Sequence, residues 1–391
     1  MMTRRVLFPV VLACLATLLP VQGACVAEPE ALRIVAGPYL QNVTPEAATA
    51  IWFTNTPCVS WVDFGSDESL GRKAVNARHG LIDAGVTIHR VRLTGLEPGR
   101  PCYYRVVSRA IARFMPYQVD FGETVTSSTT VFTPPTPDAG HCSFVVFNDV
   151  HNSTGAMDEL FPMIAPLHPE LVFLNGDIMS HLQDEASTIR YFAEPFGRLT
   201  EGRVPLVFAR GNHETRGVYA RDFFDYLDTS TGQYYDAFTW GPVRFLVLDT
   251  GEDKPDDHEE YFGLVAFDRY LDEETEWLKK EVALEPFRDA AFRVIVAHIP
   301  IEAGPCWEKW GAILNESAID LQIAGHYHDP KILQPDAARR FPIVIGGGPD
   351  PGIRTLIHVE ADAKELTARV LRRDDGVFDR ISIQAKSISG S

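Results

Sequence analysis

Five short motifs in this chain carry side chains able to hold metal ions. They are Asp149 and His151 in D-x-H, Asp177 in a Gly-Asp pair, Asn212, His213 and Glu214 in G-N-H-E, a lone His298, and His326 and His328 in G-H-x-H. Together they offer two Asp, one Asn and four His as ligands, with a fifth His to spare, an inventory for two ions. Mixed oxygen and nitrogen donors suit Mn, Fe or Zn. Each motif follows an apolar run: FVVFN, LVFLN, VPLVFA, FRVIVA and AIDLQIA. Short apolar runs rich in β-branched and aromatic residues read as buried strands. The polar residues then sit where strands end, on the edge at which open α/β sheets bind ligands.

The elements that must position these groups begin at Cys142, where strand–loop–helix alternation implies α/β architecture. Helices are predicted over Met157–Leu167, Glu185–Leu199 and Asp272–Leu284, and closing strands near Thr355–Val359 and Glu365–Leu371. Ahead of them, residues 33–135 read as an all-β sandwich. Apolar runs at Thr49–Phe53, Ser60–Phe64, Val86–Leu93, Cys102–Val107 and Thr129–Phe132 alternate with turn residues there. Leu96-Glu97-Pro98-Gly99 followed by Cys102-Tyr103-Tyr104 resembles a corner of a fibronectin type III domain, with Cys102 in place of the usual aromatic and Trp52 as core tryptophan. Pro134–Asp138 forms a stiff linker between the two.

The net charge of −17 makes nucleic acid a poor partner for the surface as a whole. Residues 1–27 read as a signal peptide: Arg4 and Arg5, an apolar stretch from Val6 to Leu19, then Pro20, Gly23 and Ala24. The expectation is an exported protein, periplasmic or secreted, with a membrane anchor only if Cys25 is lipidated. Cys58 and Cys102 fall on antiparallel neighbours about 20 Å apart, too far for a bridge. The body cysteines are therefore read as buried or free thiols.

In order and spacing, the five motifs resemble the calcineurin-like metallophosphoesterase superfamily over residues 142 to about 345. The resemblance implies an α/β/β/α domain at 140–385, with two mixed sheets flanked by helices, and two divalent or trivalent metal ions. Asp177 would bridge them. Asp149, His151 and His328 would hold the first ion, and Asn212, His298 and His326 the second. Two carboxylates against two divalent ions leave the site at about +2, so a phosphate is attracted although the chain is acidic.

His213 is assigned phosphate contact and proton donation to the leaving group, and Glu214 the orientation of a ligand. Arg210 and Arg216 flank the G-N-H-E motif as candidates for binding phosphate oxygens, with His181 as a further pocket residue. Gly346-Gly347-Gly348 reads as a tight turn beside the site, and the acidic stretch Asp249 to Asp257 as a solvated loop.

Purple acid phosphatases, which also carry a fibronectin-like domain before this fold, place a Tyr where this chain has Ser180 and lack a ligand at His151. The expected site is not purple. The function implied is hydrolysis of phosphate esters, leaning to monoesters, by attack of a metal-bridging hydroxide. The alternatives are a phosphodiesterase or nucleotidase on the same core, or a surface binding protein with a relic metal site.

Overall fold

Side-chain alternation along the strand His141–Phe147 divides the interior into layers. Phe144 and Val146 face one core while Val145 and Phe147 face another, as the two-residue period of a strand requires. The computed structural model describes residues 30–386. The segment read as a signal peptide, with Cys14 and Cys25, lies outside them.

Two six-stranded mixed sheets build the part of the chain that follows residue 140. In the first, Leu206–Ala209, Leu171–Asn175 and His141–Phe147 run parallel, and Leu356–Asp362, Glu365–Arg372 and Gly376–Gln384 continue antiparallel. In the second, Val243–Val247, Phe292–Val296, Leu321–Ala324 and Ile343–Ile345 are parallel, with antiparallel edges Asp236–Trp240 and Lys331–Leu333.

The sheets face each other through aromatic rings: Phe245 lies 5.0 Å from Phe144 and 5.1 Å from Phe173, centroid to centroid. Helices Phe267–Glu281 and Gly304–Glu316 cover the outer face of the second sheet with Leu271, Leu278, Trp310 and Leu314. Met157, Leu160 and Phe196 cover the first. This is an α/β domain with mixed sheets.

Helix boundaries differ from expectation for local reasons. The helix expected over Met157–Leu167 is Thr154–Leu160 and then breaks into 3₁₀ turns at Phe161–Met163 and Ala165–Leu167. Pro162 and Pro166 lack the N–H needed to continue it. Helix Gly304–Glu316 went unrecognised because it opens with Gly-Pro, yet proline is favoured in a first turn.

The N-terminal region is β-rich. The two runs Thr49–Phe53 and Ser60–Phe64 are one continuous strand, Ala47–Gly65. Its first half pairs with Ile34–Thr44 and Ala84–Thr94, and its second half with Arg72–Ala74 and Cys102–Met115. Changing partners around Pro57 lets the strand survive a residue that cannot donate to a ladder. Trp52 is fully buried, its indole N–H donating to Ser108 Oγ at 2.8 Å. Cys58 pairs with Ala110, well along the strand that Cys102 begins. All four cysteines of the described residues are free and buried.

From Leu32 onward the described chain is one unit. Tyr39 OH donates to the Tyr226 carbonyl and Tyr104 OH to that of Gly202, both at 2.7 Å. Phe53 packs on Tyr226 with 4.8 Å between ring centroids.

Candidate metal centre

Each motif residue occupies the loop that leaves the carboxyl end of a parallel strand. Asp149 and His151 follow His141–Phe147, Asp177 follows Leu171–Asn175, Asn212 follows Leu206–Ala209, His298 follows Phe292–Val296, and His326 and His328 follow Leu321–Ala324. The first sheet thus supplies every oxygen donor, and the second supplies imidazoles alone. The loops turn sharply. Asp149, His151, Asp177, His326 and His328 all have φ between +48° and +69°, a region that costs a non-glycine residue about 1 kcal/mol or more. Such strain persists only where surrounding contacts over-determine it, and it gathers at functional sites.

Three groups of ligand atoms converge: Asp149 with His151 and His328, Asp177 with His298 and His326, and Asp177 with His151 and His213. His328 Nε2 lies 3.0 Å from Asp149 Oδ1 and 3.1 Å from His151 Nε2. His298 Nε2 lies 3.1 Å from Asp177 Oδ2, and His326 Nδ1 the same distance from Asn212 Oδ1. Neighbouring ligands on one ion, each bonded at about 2.1 Å, stand roughly 3 Å apart. Although fully buried, Asp149 Oδ1 and His298 Nε2 align with no hydrogen-bond partner. Close approach without hydrogen-bond alignment is what donors aimed at a shared ion produce, and these residues fit metal binding.

The remaining atoms of these side chains are tied down. Asp149 Oδ2 accepts from Asn148 Nδ2 at 2.6 Å and from the His326 N–H at 2.9 Å, which leaves Oδ1 bare. Asp177 Oδ1 accepts from the His213 N–H at 2.9 Å. His298 Nδ1–H donates to the Asn175 carbonyl at 2.8 Å, fixing the tautomer with its lone pair on Nε2. Asn175 Nδ2 reaches across to the carbonyls of Ala297 and Ile323 at 3.4 and 3.2 Å, joining the two sheets under the site.

Glu214, fully buried, accepts three backbone N–H groups, from Asp177, Met179 and Gly211, at 2.9 to 3.0 Å. Burial, then the Asp177 charge, raise its pKa to about 7. It clasps the Asp177 loop to the Asn212 loop. Two glycines make room for rings. A Cβ on Gly176, itself at φ +72°, would stand 2.5 Å from His298 Cγ, and one on Gly348 would stand 2.7 Å from His328 Cγ. The Gly346–Gly348 turn therefore backs a ligand directly.

Charge at the site calls for a cation. Burial opposes a proton on His298, but Asp177 and Asp149 outweigh it and push its pKa up to about 10. His213 is half-buried, with Nδ1 2.8 Å from the Ser180 carbonyl and Nε2 3.1 Å from Arg216 Nη1 and 3.9 Å from Asp177 Oδ2. Burial lowers its pKa. Ser180, at the tyrosine position of purple enzymes, donates through Oγ to the His151 carbonyl at 3.1 Å.

Two expectations change here. Arg210 turns away from the ligands: it pairs with fully buried Asp249 at 2.5 Å and lies 4.0 Å over the Tyr234 ring. A guanidinium enclosed in this way fixes the loop before Asn212 and has no path to a phosphate. Nor is the start of the acidic stretch solvated. Asp249, Thr250 and Glu252 are buried, and Glu252 pairs with Arg216 at 3.1 Å and accepts from Thr215. Arg216 stays at the rim beside His213. His181 is exposed. Asn148, Asn175 and Glu252 were missed. The only available signal was that the first two apolar runs, FVVFN and LVFLN, both end in Asn.

The family model described as calcineurin-like phosphoesterase matches residues 142–330. A comparison with curated proteins finds no match. Among solved structures, a purple acid phosphatase from yellow lupin is similar with TM-score 0.67 at 17% identity, over 90% of this chain and 74% of that one. PhoD is similar with TM-score 0.60 at 13% identity, over 89% of each chain. At these identities the likeness is one of fold. The family match, lying over the strands and loops that carry the converging ligands, identifies residues 142–330 as a calcineurin-like phosphoesterase domain and the chain as a hydrolase of phosphoric ester bonds.

Proposed function

We propose that the chain is an exported phosphoesterase working with two metal ions, Mn, Fe or Zn, and acting chiefly on phosphomonoesters. The observation that carries this reading is the position of Asp177 Oδ2, 3.1 Å from His298 Nε2 on one side and 3.8 Å from His151 Nε2 on the other. One carboxylate oxygen shared by two ligand groups suits a bridge. Asp149, His151 and His328 form the first set, and Asn212, His298 and His326 the second. When bound, the ions supply Lewis acidity at the phosphoryl oxygens and activate a water.

The chain's own residues orient the reaction. The Ser180 carbonyl aims His213 so that Nε2 faces the substrate, to contact phosphate or pass a proton to the departing oxygen. Its depressed pKa makes the protonated ring the stronger acid. Glu214 and Asn148 hold the carboxylates in place, and Arg216 stands at the rim to meet a phosphate oxygen. The name of the lupin neighbour, a phosphatase, supports the monoester preference. A phosphodiesterase on the same core is the second reading.

Residues 33–135 make a fibronectin III-like domain and 140–385 the catalytic domain in this reading. The basic and apolar start at residues 1–27 supports export. Metal analysis of the mature protein, with hydrolysis of p-nitrophenyl phosphate and bis(p-nitrophenyl) phosphate, tests the proposal. Protein that holds fewer than two ions per chain, or that holds them and hydrolyses neither ester, would refute it.

A further inference from the structure

The loops after strands Leu206–Ala209 and Val243–Val247 are pinned together beside the candidate ligands. Arg216 links them, with Nη1 3.1 Å from His213 Nε2 and Nη2 3.1 Å from Glu252 Oε2. Tyr261 OH donates to the same Glu252 oxygen at 3.1 Å, and Arg221 Nη2 donates to the Leu264 carbonyl at 3.4 Å. Residues 218–221 and 261–264 therefore form one rim, joined to Asp177 through His213 and Arg216.

Two properties of this rim bear on what it accepts. It is apolar where it meets solvent: Val218 is 70% exposed, Phe262 85% and Leu264 69%. Phe262 has φ +51°, a conformation that bulky residues rarely adopt. It is the left-handed cap of the 3₁₀ turn Glu259–Tyr261, its N–H donating to the Glu259 carbonyl at 3.3 Å, and the ring is left standing in solvent. The rim is also acidic. Between residues 252 and 260 lie Glu252, Asp253, Asp256, Asp257, Glu259 and Glu260, with Lys254 the one Lys or Arg. Part of this charge is paired with Arg216 and Lys254. The remainder repels any further negative charge on a substrate.

We infer that this rim selects phosphate esters whose leaving group is uncharged and apolar, an alkyl chain or aryl ring seated against Val218, Phe262 and Leu264, over substrates that carry additional anionic groups. The inference rests on the phosphoesterase reading above and narrows its substrate class. Selection by apolar area is modest per carbon and accumulates along a chain.

Unbranched alkyl phosphates from ethyl to octyl, kept below their micellar concentrations, test it because their leaving alcohols share nearly one basicity. For the wild type, kcat/KM should rise roughly tenfold along the series. In Phe262→Asn/Leu264→Ser the octyl-to-ethyl ratio should fall towards one. Both sites are exposed and Asn tolerates left-handed backbone, so folding is not at stake. A propyl phosphate analogue with a terminal carboxylate should react several-fold more slowly than propyl phosphate, and added salt should narrow the gap. A flat series in the wild type, a ratio unchanged by the double substitution, or a carboxylate analogue as fast as propyl phosphate would overturn the inference and leave phosphoesterase activity standing. Failure to hydrolyse p-nitrophenyl mono- and diesters alike would instead remove the functional reading beneath it.

Discussion

Two buried histidines in this chain are driven in opposite directions. His89, in the β-rich region, lies 2.9 Å from Thr54 Oγ1 and packs against Trp52 with 5.1 Å between ring centroids. Burial lowers its pKa to about 4. His298 is buried just as deeply, yet Asp177 and Asp149 overcome that burial and raise it to about 10. Burial by itself expels charge. Where a buried imidazole instead attracts charge, the surroundings have been built around a cation. The β-rich core is a neutral interior, and the seam between the two sheets is a socket for positive ions.

The contrast can be broken, most forcefully at Asp177. We expect Asp177→Ala to lose at least one ion per chain and to reduce kcat/KM by roughly a thousandfold. Metal content and turnover of chromogenic esters check both, and wild-type turnover in this variant would assign the activity elsewhere. Next comes the packing that holds the socket together. Phe144→Ala removes a ring wedged against Phe173 and Phe245 and should destabilise the protein by about 3–5 kcal/mol, measured by urea denaturation with and without metal.

Glu214→Gln keeps the shape but weakens the clasp between two ligand loops. A loss of roughly 10–100-fold in metal affinity is expected, read by titration with a competing chelator. The smallest effect should come from the neutral side. His89 has a folded pKa below its unfolded value, so the unfolded chain binds the extra proton first. Its contribution is intact above the unfolded pKa and declines as pH falls towards 4. Between pH 7 and 5.5 this amounts to about 1 kcal/mol. His89→Gln should flatten that part of the stability profile, and an unchanged slope would show that another group titrates there.

The donors were legible because each follows an apolar strand, so that D-x-H, G-N-H-E and G-H-x-H announce both their chemistry and their place on a sheet edge. The supporting atoms were not. Asn148 and Asn175 tie the ligand loops to carbonyls more than a hundred residues away, those of Gly347, Ala297 and Ile323, and no local pattern encodes such bonds. Arg210 misled because nearness in sequence to Asn212 says nothing about direction. Its side chain is claimed by Asp249, which arrives from the other sheet. The acidic stretch misled for the opposite reason: its charges looked free, yet Asp249, Glu252 and Asp253 already had arginine partners.

The absent side chains at Gly176 and Gly348 have a consequence for variation. Each leaves a void only as wide as the ring beside it, so even a methyl group there would push an imidazole off its target. A saturation screen scored for turnover should find these two positions as intolerant as the histidines they shelter, although neither touches an ion. A screen scored only for soluble expression should pass over them.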